Sequence, residues 1–178
     1  MFIYDFASPW CWIAAELVNS AFDDGVPEWQ PVSMQELAPD EYARIGATDR
    51  DAIALHATMP PRWPDPVPAD TQTAMLVATF AKKSGRAVAF SLAAFRQAFA
   101  AGKDLSQTDN VLIAAAACEL HPRAVLKGIE TRSTRDDLQR ATDAAREQGI
   151  TELPALIRDD GVHQGAALVD LLVTASMK

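Results

Sequence analysis

The segment FIYDFASPWCW, residues 2–12, decides how this chain folds. Its first five residues are mostly aromatic and β-branched, which is typical of a buried strand. Ser8 and Pro9 follow, and this pair is typical of a helix start. The serine hydroxyl can accept a hydrogen bond from the first turn, and proline is tolerated at the first helical position. The segment therefore predicts a strand, a tight turn and a helix that begins at Ser8-Pro9.

The composition is that of one globular domain. The chain has 178 residues, of which 49% are hydrophobic, so its core needs no metal or disulfide for stability. A net charge of -8 disfavours nucleic acid and anionic membranes as partners. The N-terminal sequence has no basic region followed by a long apolar run, so we expect a cytoplasmic protein. In that compartment Cys11 and Cys118 are expected to be free thiols.

The middle of the chain is mostly helical by its pattern. A second strand is predicted at residues 29–34, and residues 35–69 predict a loop or short helix followed by a proline-rich, extended segment. That segment is either a rigid connector or, through Trp63, the wall of a ligand pocket. Helices are predicted in five later segments: one starting at Asp70 or Thr71, then residues 90–100, 109–120, 122–131, and 134–148 with Ser133 as the cap and Gly149 at the end.

The C-terminal segment returns to strands. Residues 153–157 and 162–164 predict two strands joined by an Asp160-Gly161 turn, and residues 166–176 predict a final helix. The order β-α-β, helices, β-β-α predicts an α/β fold with a mixed four-stranded sheet and an all-helical insertion. We expect residues 1–34 and 150–178 to form the sheet domain. Residues 35–149 would form the connector and the helical insertion, in one compact unit with it.

Residues 5–12 and the pair Leu153-Pro154 together resemble the DsbA-like form of the thioredoxin fold. That family inserts a helical domain between its second and third strands. It places a Cys-x-x-Cys pair at the start of the first helix, opposite a cis-proline. Here Ser8 stands at the first cysteine position and Cys11 at the second. The same stretch, with residues 63–68, is similar to 2-hydroxychromene-2-carboxylate isomerases and kappa-class glutathione transferases, in which a serine faces the glutathione sulfur.

The resemblance implies a thiol-dependent isomerase or transferase. Its cofactor would be glutathione or another small thiol, its substrate a hydrophobic electrophile, and its assembly a homodimer by analogy. No metal is expected, since His56, His121 and His163 are scattered without ligand spacing. The implied site residues are the catalytic Ser8 and Cys11, the cofactor-binding Pro9, Trp10, Leu153, Pro154 and Gly165, and the pocket walls Trp12 and Trp63.

A serine at a helix start can activate a bound thiol. The thiolate is the nucleophile, and a thiol with a pKa of about 8.5 is only slightly ionised at neutral pH. Lowering that pKa by about two units takes about 2.7 kcal/mol. A helix N-terminus contributes about 0.3–1 kcal/mol to a nearby anion, and a hydrogen bond to a charged acceptor about 1.5–3 kcal/mol. Ser8 and the first-turn N–H groups therefore suffice together. The alternative is that Ser8 is a helix cap and nothing more.

A second hypothesis starts from the missing cysteine. A dithiol cycle needs an attacking and a resolving thiol, and this motif retains only Cys11, whose inner position favours a plain buried thiol. The chain would then be a thiol-disulfide oxidoreductase descendant that acts through Cys11 alone or as a redox-inert peptide-binding module. Kappa-class enzymes hold the γ-glutamyl end with a Gly-Ser-Asp sequence. Here only Gly165 matches, and Ala166 and Ala167 replace the polar residues.

Overall fold

The sheet is built from the two ends of the chain. The computed structural model describes residues 1–22 and 25–176. Within them the strands form a mixed four-stranded sheet in the order β2-β1-β3-β4, which confirms the predicted fold class. Strand β1 pairs in parallel with β2 and antiparallel with β3, and β3 pairs antiparallel with β4. The strands are β1 Phe2–Tyr4, β2 Trp29–Pro31, β3 Ala155–Arg158 and β4 Gly161–Gln164.

Helices supply the rest of the regular structure. None of those in the described ranges is long and apolar enough to cross a membrane. The predicted division into residues 1–34 with 150–178 and residues 35–149 stays a prediction. The helices are α1 Pro9–Leu17, α2 Met34–Leu37, α3 Pro39–Arg44, α4 Arg50–His56, α5 Gln72–Lys83, α6 Ala87–Phe95, α7 Thr108–Ala117, α8 Pro122–Glu130, α9 Arg132–Glu147 and α10 Gly165–Ser176. A 3₁₀ turn, Ile45–Ala47, and a π-helical turn, Arg96–Ala100, complete the set.

Several boundaries differ from the sequence prediction. Residues 35–69 hold three short helices, and β2 ends at Pro31, so Met34 belongs to α2. Ser133 is not the cap of α9. Thr131 takes that position, and its hydroxyl accepts from the Thr134 N–H at 3.4 Å. Gly149, at φ +78°, ends this helix as predicted. The sequence predicts that the first helix ends near an Asp23-Asp24-Gly25 turn, but α1 ends earlier, at Leu17. Asp23 and Asp24 lie outside the described residues.

An aromatic cluster joins the sheet to the helical insertion. Phe6 follows β1, and its ring lies 4.8 Å from that of Phe95 and 6.0 Å from that of Phe90, both on α6. Tyr4 of β1 also packs on Phe95, at 5.7 Å. All four side chains are buried. Buried aromatic pairs of this geometry stabilise a core beyond their area alone. The cluster therefore fixes β1, and with it the loop that leads to Ser8.

Candidate active site

Ser8 is the N-cap of α1, as predicted. Its backbone is extended, at φ -91° and ψ 120°, and its hydroxyl oxygen accepts a hydrogen bond from the Cys11 N–H at 3.3 Å. Pro9 occupies the first helical position. A serine hydroxyl that accepts in this way still has its own hydrogen to donate. The side chain is only 2% exposed, so the hydroxyl lies below the molecular surface.

Asp5 holds the turn that leads to Ser8. One of its carboxylate oxygens accepts from the Ala7 N–H at 2.9 Å and from the Thr71 hydroxyl at 2.7 Å. The other accepts from the Met34 N–H at 2.7 Å. Burial raises the pKa of this carboxyl, and the three hydrogen bonds oppose that effect. Asp5 thus ties the end of β1 to the starts of α2 and α5.

Cys11 is fully buried one turn into α1. Burial strongly raises the pKa of its thiol, against hydrogen bonds from the Asp5 backbone and the Ser8 side chain. The thiol is therefore protonated at neutral pH, which makes it a poor nucleophile. Cys118 is also buried, and its Sγ donates to the Ala115 carbonyl at 3.1 Å. Both cysteines are free thiols.

The Leu153–Pro154 peptide bond is cis, as the resemblance implies. Both residues are buried. The Leu153 N–H donates to Oε2 of Glu41 at 3.1 Å. The Pro154 carbonyl accepts from the Gly165 N–H at 2.8 Å, which ties the start of α10 to the start of β3. Three of the predicted site residues, Leu153, Pro154 and Gly165, are thereby brought together.

Glu41 is a member of this site that the sequence did not reveal. It is half-buried on α3, and burial raises the pKa of its carboxyl to about 7. The negative charge of Glu152 acts in the same direction, while the Leu153 N–H and Arg44 oppose it. The charge of Glu41 also raises the pKa of the Cys11 thiol, so this carboxyl acts on α1 as well as on Leu153. In the sequence it is one acid in a segment that predicts a loop or short helix, and it carries no functional signal there.

Glu152 lies at the start of α10. Gly165 has a φ of +63°, and a Cβ built on it would come 2.0 Å from Oε2 of Glu152. The space above this glycine is therefore filled by a carboxylate of the chain itself. The Gln164 side chain supports this arrangement, because its oxygen accepts from the Glu152 N–H at 3.2 Å. Ala166 and Ala167 are exposed beside it.

The three predicted tryptophans lie at different depths. Trp10 is half-buried, with its ring 6.0 Å from that of His56 on α4. Trp63 is also half-buried, and the Arg50 guanidinium lies 4.7 Å from its ring centre. Trp12 is fully buried and stacks on Phe99 at 5.8 Å, so it belongs to the core and presents no surface to a ligand.

The proline-rich segment closes over the turn before Ser8. Pro64, Val67 and Pro68 line an apolar cavity together with Phe6 and Ala7. Its volume of about 10 Å³ leaves room for one water at most. The segment is therefore packed against the β1–α1 turn. Elsewhere in residues 1–22 and 25–176, no three His, Cys, Asp or Glu side chains are grouped so that they could hold a metal ion.

Comparisons with known proteins agree on the fold. The sequence profile of the DSBA-like thioredoxin domain matches residues 1–176. No curated protein sequence matches the chain significantly. Among solved structures, a 2-hydroxychromene-2-carboxylate isomerase superposes with a TM-score of 0.80 at 15% identity, over 98% of this chain and 92% of that one.

Two further structures are similar to the chain. A candidate protein disulfide isomerase from Nitrosomonas europaea has a TM-score of 0.72 at 17% identity, over 97% of this chain and 94% of that one. A candidate DsbA oxidoreductase from Streptomyces coelicolor has a TM-score of 0.73 at 19% identity, over 99% of this chain and 87% of that one. At these identities the likeness establishes the fold and leaves the chemistry to the site residues.

Proposed function

Because the chain belongs to the DSBA-like thioredoxin domain family, we propose that it binds a small thiol at the start of α1 and that the Ser8 hydroxyl polarises the sulfur. The observation that carries this proposal is the N-cap geometry of Ser8: its oxygen accepts from the first turn, and its one hydroxyl hydrogen can turn from the Cys11 thiol to the sulfur of a ligand. Glutathione is the small thiol that the resemblance names. The isomerase among the similar structures belongs to one of the two enzyme classes that this resemblance names, which supports the proposal.

The proposed reaction is thiol addition to a hydrophobic electrophile. The sulfur loses its proton and forms a C–S bond to an unsaturated carbon. The π electron pair moves to the neighbouring atom, which takes up a proton. In a transferase the adduct is the product. In an isomerase the substrate rotates about the bond that is now single, after which the proton and the thiolate leave again. Ser8 donates to the sulfur whenever it is a thiolate, before the addition and after the release.

Thiol binding requires movement next to Ser8. The side chain is 2% exposed, and α4 packs on the first turn of α1 through Trp10 and His56. A thiol can reach the hydroxyl only when neighbouring segments shift, and α4 and the proline-rich segment are the ones that pack beside the turn. These are short elements joined by loops, and such parts of a protein open more easily than its core.

Calorimetric titration with glutathione and with 2-mercaptoethanol tests the proposal. Ser8→Ala should weaken thiol binding at least about tenfold, because a hydrogen bond to a charged acceptor is worth about 1.5–3 kcal/mol. Ser33→Ala is the matched control, since Ser33 also stands before a helix but makes no side-chain cap bond. Absence of binding of both thiols at millimolar concentrations would contradict the proposal.

A redox-inert binding module is the second candidate, and the burial of Cys11 favours it. A fully buried, protonated thiol cannot act in exchange, so an oxidoreductase descendant would bind polypeptides without redox chemistry. This candidate predicts binding of a fluorescently labelled unfolded polypeptide beside Leu153-Pro154 and no affinity for small thiols. The calorimetric titration with small thiols therefore distinguishes the two candidates, because only the first predicts binding.

A further inference from the structure

Glu41 accepts the hydrogen bond of a backbone N–H group to which a peptide-like ligand would otherwise bind. The Leu153 N–H donates to Oε2 of Glu41, which is 112 residues away in the chain. An extended ligand binds a backbone of this kind by offering a carbonyl or carboxylate oxygen to the N–H group. Here that oxygen comes from the protein, so a ligand oxygen must displace Glu41 to bind there.

Glu152 occupies a second position suited to an anion. α10 has 12 residues and begins at Gly165, and a helix N-terminus attracts negative charge through its free N–H groups and its dipole. A carboxylate oxygen of Glu152 fills the space directly above Gly165. A ligand carboxylate would meet the charge of Glu152 before it could reach the helix.

The two carboxylates act on one region. The charge of Glu152 raises the pKa of the Glu41 carboxyl, and the charge of Glu41 raises that of the Cys11 thiol on α1. Arg44, on α3 with Glu41, is the cation that opposes the first effect. An anionic ligand that extends to Leu153 and to the start of α10 therefore loses two anchoring positions. Above about pH 7, where Glu41 is ionised, it also meets two like charges, and like charges brought together disfavour binding.

We propose that Glu41 and Glu152 set the charge specificity of this site, so that it accepts small thiols without carboxylates and rejects anionic thiols such as glutathione. The inference rests on the proposed thiol-binding function and narrows its ligand class. Glu41 and Glu152 act here as specificity-determining residues, through charge and through the backbone positions that they occupy.

Two thiols of nearly equal size test the proposal. 2-Mercaptoethanol is uncharged, and 3-mercaptopropionate carries one carboxylate. In calorimetric titrations, the wild-type protein should bind 2-mercaptoethanol about tenfold more tightly than 3-mercaptopropionate or glutathione. Glu41→Gln keeps an oxygen for the Leu153 N–H and removes the charge, so it should reduce this preference roughly fivefold. Glu152→Gln, at an exposed residue, should do the same.

Glu130→Gln is the control for net charge, since Glu130 ends α8 in the helical insertion. Two results would overturn the proposed charge specificity but not the proposed thiol binding. One is equal affinity of the wild type for the two small thiols. The other is an equal change in the preference for 2-mercaptoethanol in Glu130→Gln and Glu152→Gln. If charged and uncharged thiols bind equally well and Ser8→Ala weakens both, the proposed function stays intact. No binding of any thiol, in any variant, would overturn both.

A ligand whose sulfur does not titrate shows how the protonation of Glu41 alone affects binding. S-Methylglutathione keeps the carboxylates of glutathione but has no thiol. The charged groups that act on Glu41 are Glu152 before β3 and Arg44 on α3, while the buried Cys11 thiol on α1 stays neutral in this pH range. S-Methylglutathione should bind the wild type more tightly as the pH falls from about 8 to about 6, because Glu41 is then neutralised. A pH dependence that is unchanged in Glu41→Gln would contradict this role.

Discussion

Asp5 is the residue on which the position of Ser8 depends most directly. Its carboxylate accepts hydrogen bonds from the Ala7 N–H, the Met34 N–H and the Thr71 hydroxyl, all in the protein interior. Asp5→Ala leaves these donors without their acceptor. Each unsatisfied buried donor costs about 1–3 kcal/mol, so we expect the free energy of unfolding to fall by about 2–5 kcal/mol.

Urea unfolding followed by circular dichroism measures this loss. Thr71→Val is the comparison, because it removes one donor and leaves the two backbone bonds of Asp5 in place. Its expected cost is about 1 kcal/mol. Similar losses in the two variants would mean that Asp5 does not organise the turn before Ser8.

Predictions about single residues succeeded where the residue interacts with its neighbours in the sequence. The cap at Ser8 follows from the adjacent pair Ser8-Pro9, and the structure contains it. The roles of Glu41 and Glu152 depend on contacts that the sequence does not show, since the Glu41 bond to Leu153 spans 112 residues. The cap of α9 was predicted at Ser133 and lies at Thr131. Both are good capping residues, so the sequence predicts a cap here but not which of the two positions it takes.

At the scale of elements, α1 determines which thiols are accessible. Its buried face includes Cys11, with no exposed surface and a strongly raised thiol pKa. In a Cys118→Ser variant, whose only cysteine is Cys11, a thiol reagent such as 5,5′-dithiobis(2-nitrobenzoate) should not label the native protein. Labelling should become complete in urea, where the helix unfolds. Rapid labelling of the native variant would show that α1 opens and would restore Cys11 as a candidate nucleophile.

The close packing of α5 and α8 supports the insertion beside the site. A Cβ added to Gly128 of α8 would lie 2.3 Å from a ring carbon of Phe80 on α5. Gly128→Ala must therefore push the helices apart or move the ring, and we expect it to lower the free energy of unfolding by about 1–3 kcal/mol. Lys127→Ala, at the preceding exposed position, should be nearly neutral. A Gly128→Ala variant as stable as Lys127→Ala would contradict this account of the packing.

The elements themselves were predictable to different degrees. α8 has regular apolar spacing and a proline at its start, and its predicted range of 122–131 differs from the observed Pro122–Glu130 by one residue. Residues 35–69 lack such spacing, so α2, α3 and α4 could not be separated from loops. Their positions depend on tertiary contacts such as those of Trp10 with His56 and of Leu153 with Glu41.

At the scale of the whole molecule, long-range hydrogen bonds hold the insertion against the sheet. Asp5 at the end of β1 reaches Thr71 before α5, and Leu153 before β3 reaches Glu41 on α3. The order of elements predicted this architecture, because a sheet whose strands come from both chain ends must leave the middle of the chain beside it. It did not predict which side chains connect the two parts.

The buried Glu41 carboxyl, which joins these two parts, should make the stability of the whole molecule depend on pH. The folded-state pKa of this carboxyl is about 7, above its ordinary value, because of burial. The folded protein therefore binds a proton that the unfolded chain has already lost, and the resulting stability is present at low pH and lost as the pH rises through 7. Urea unfolding from about pH 5 to about pH 8 should show the wild type losing stability relative to Glu41→Gln, which cannot ionise. Other groups that titrate in this range cancel in the comparison. Parallel stability curves for the two proteins would mean that the Glu41 carboxyl titrates alike in the folded and unfolded chain, and that burial between the insertion and the sheet does not raise its pKa.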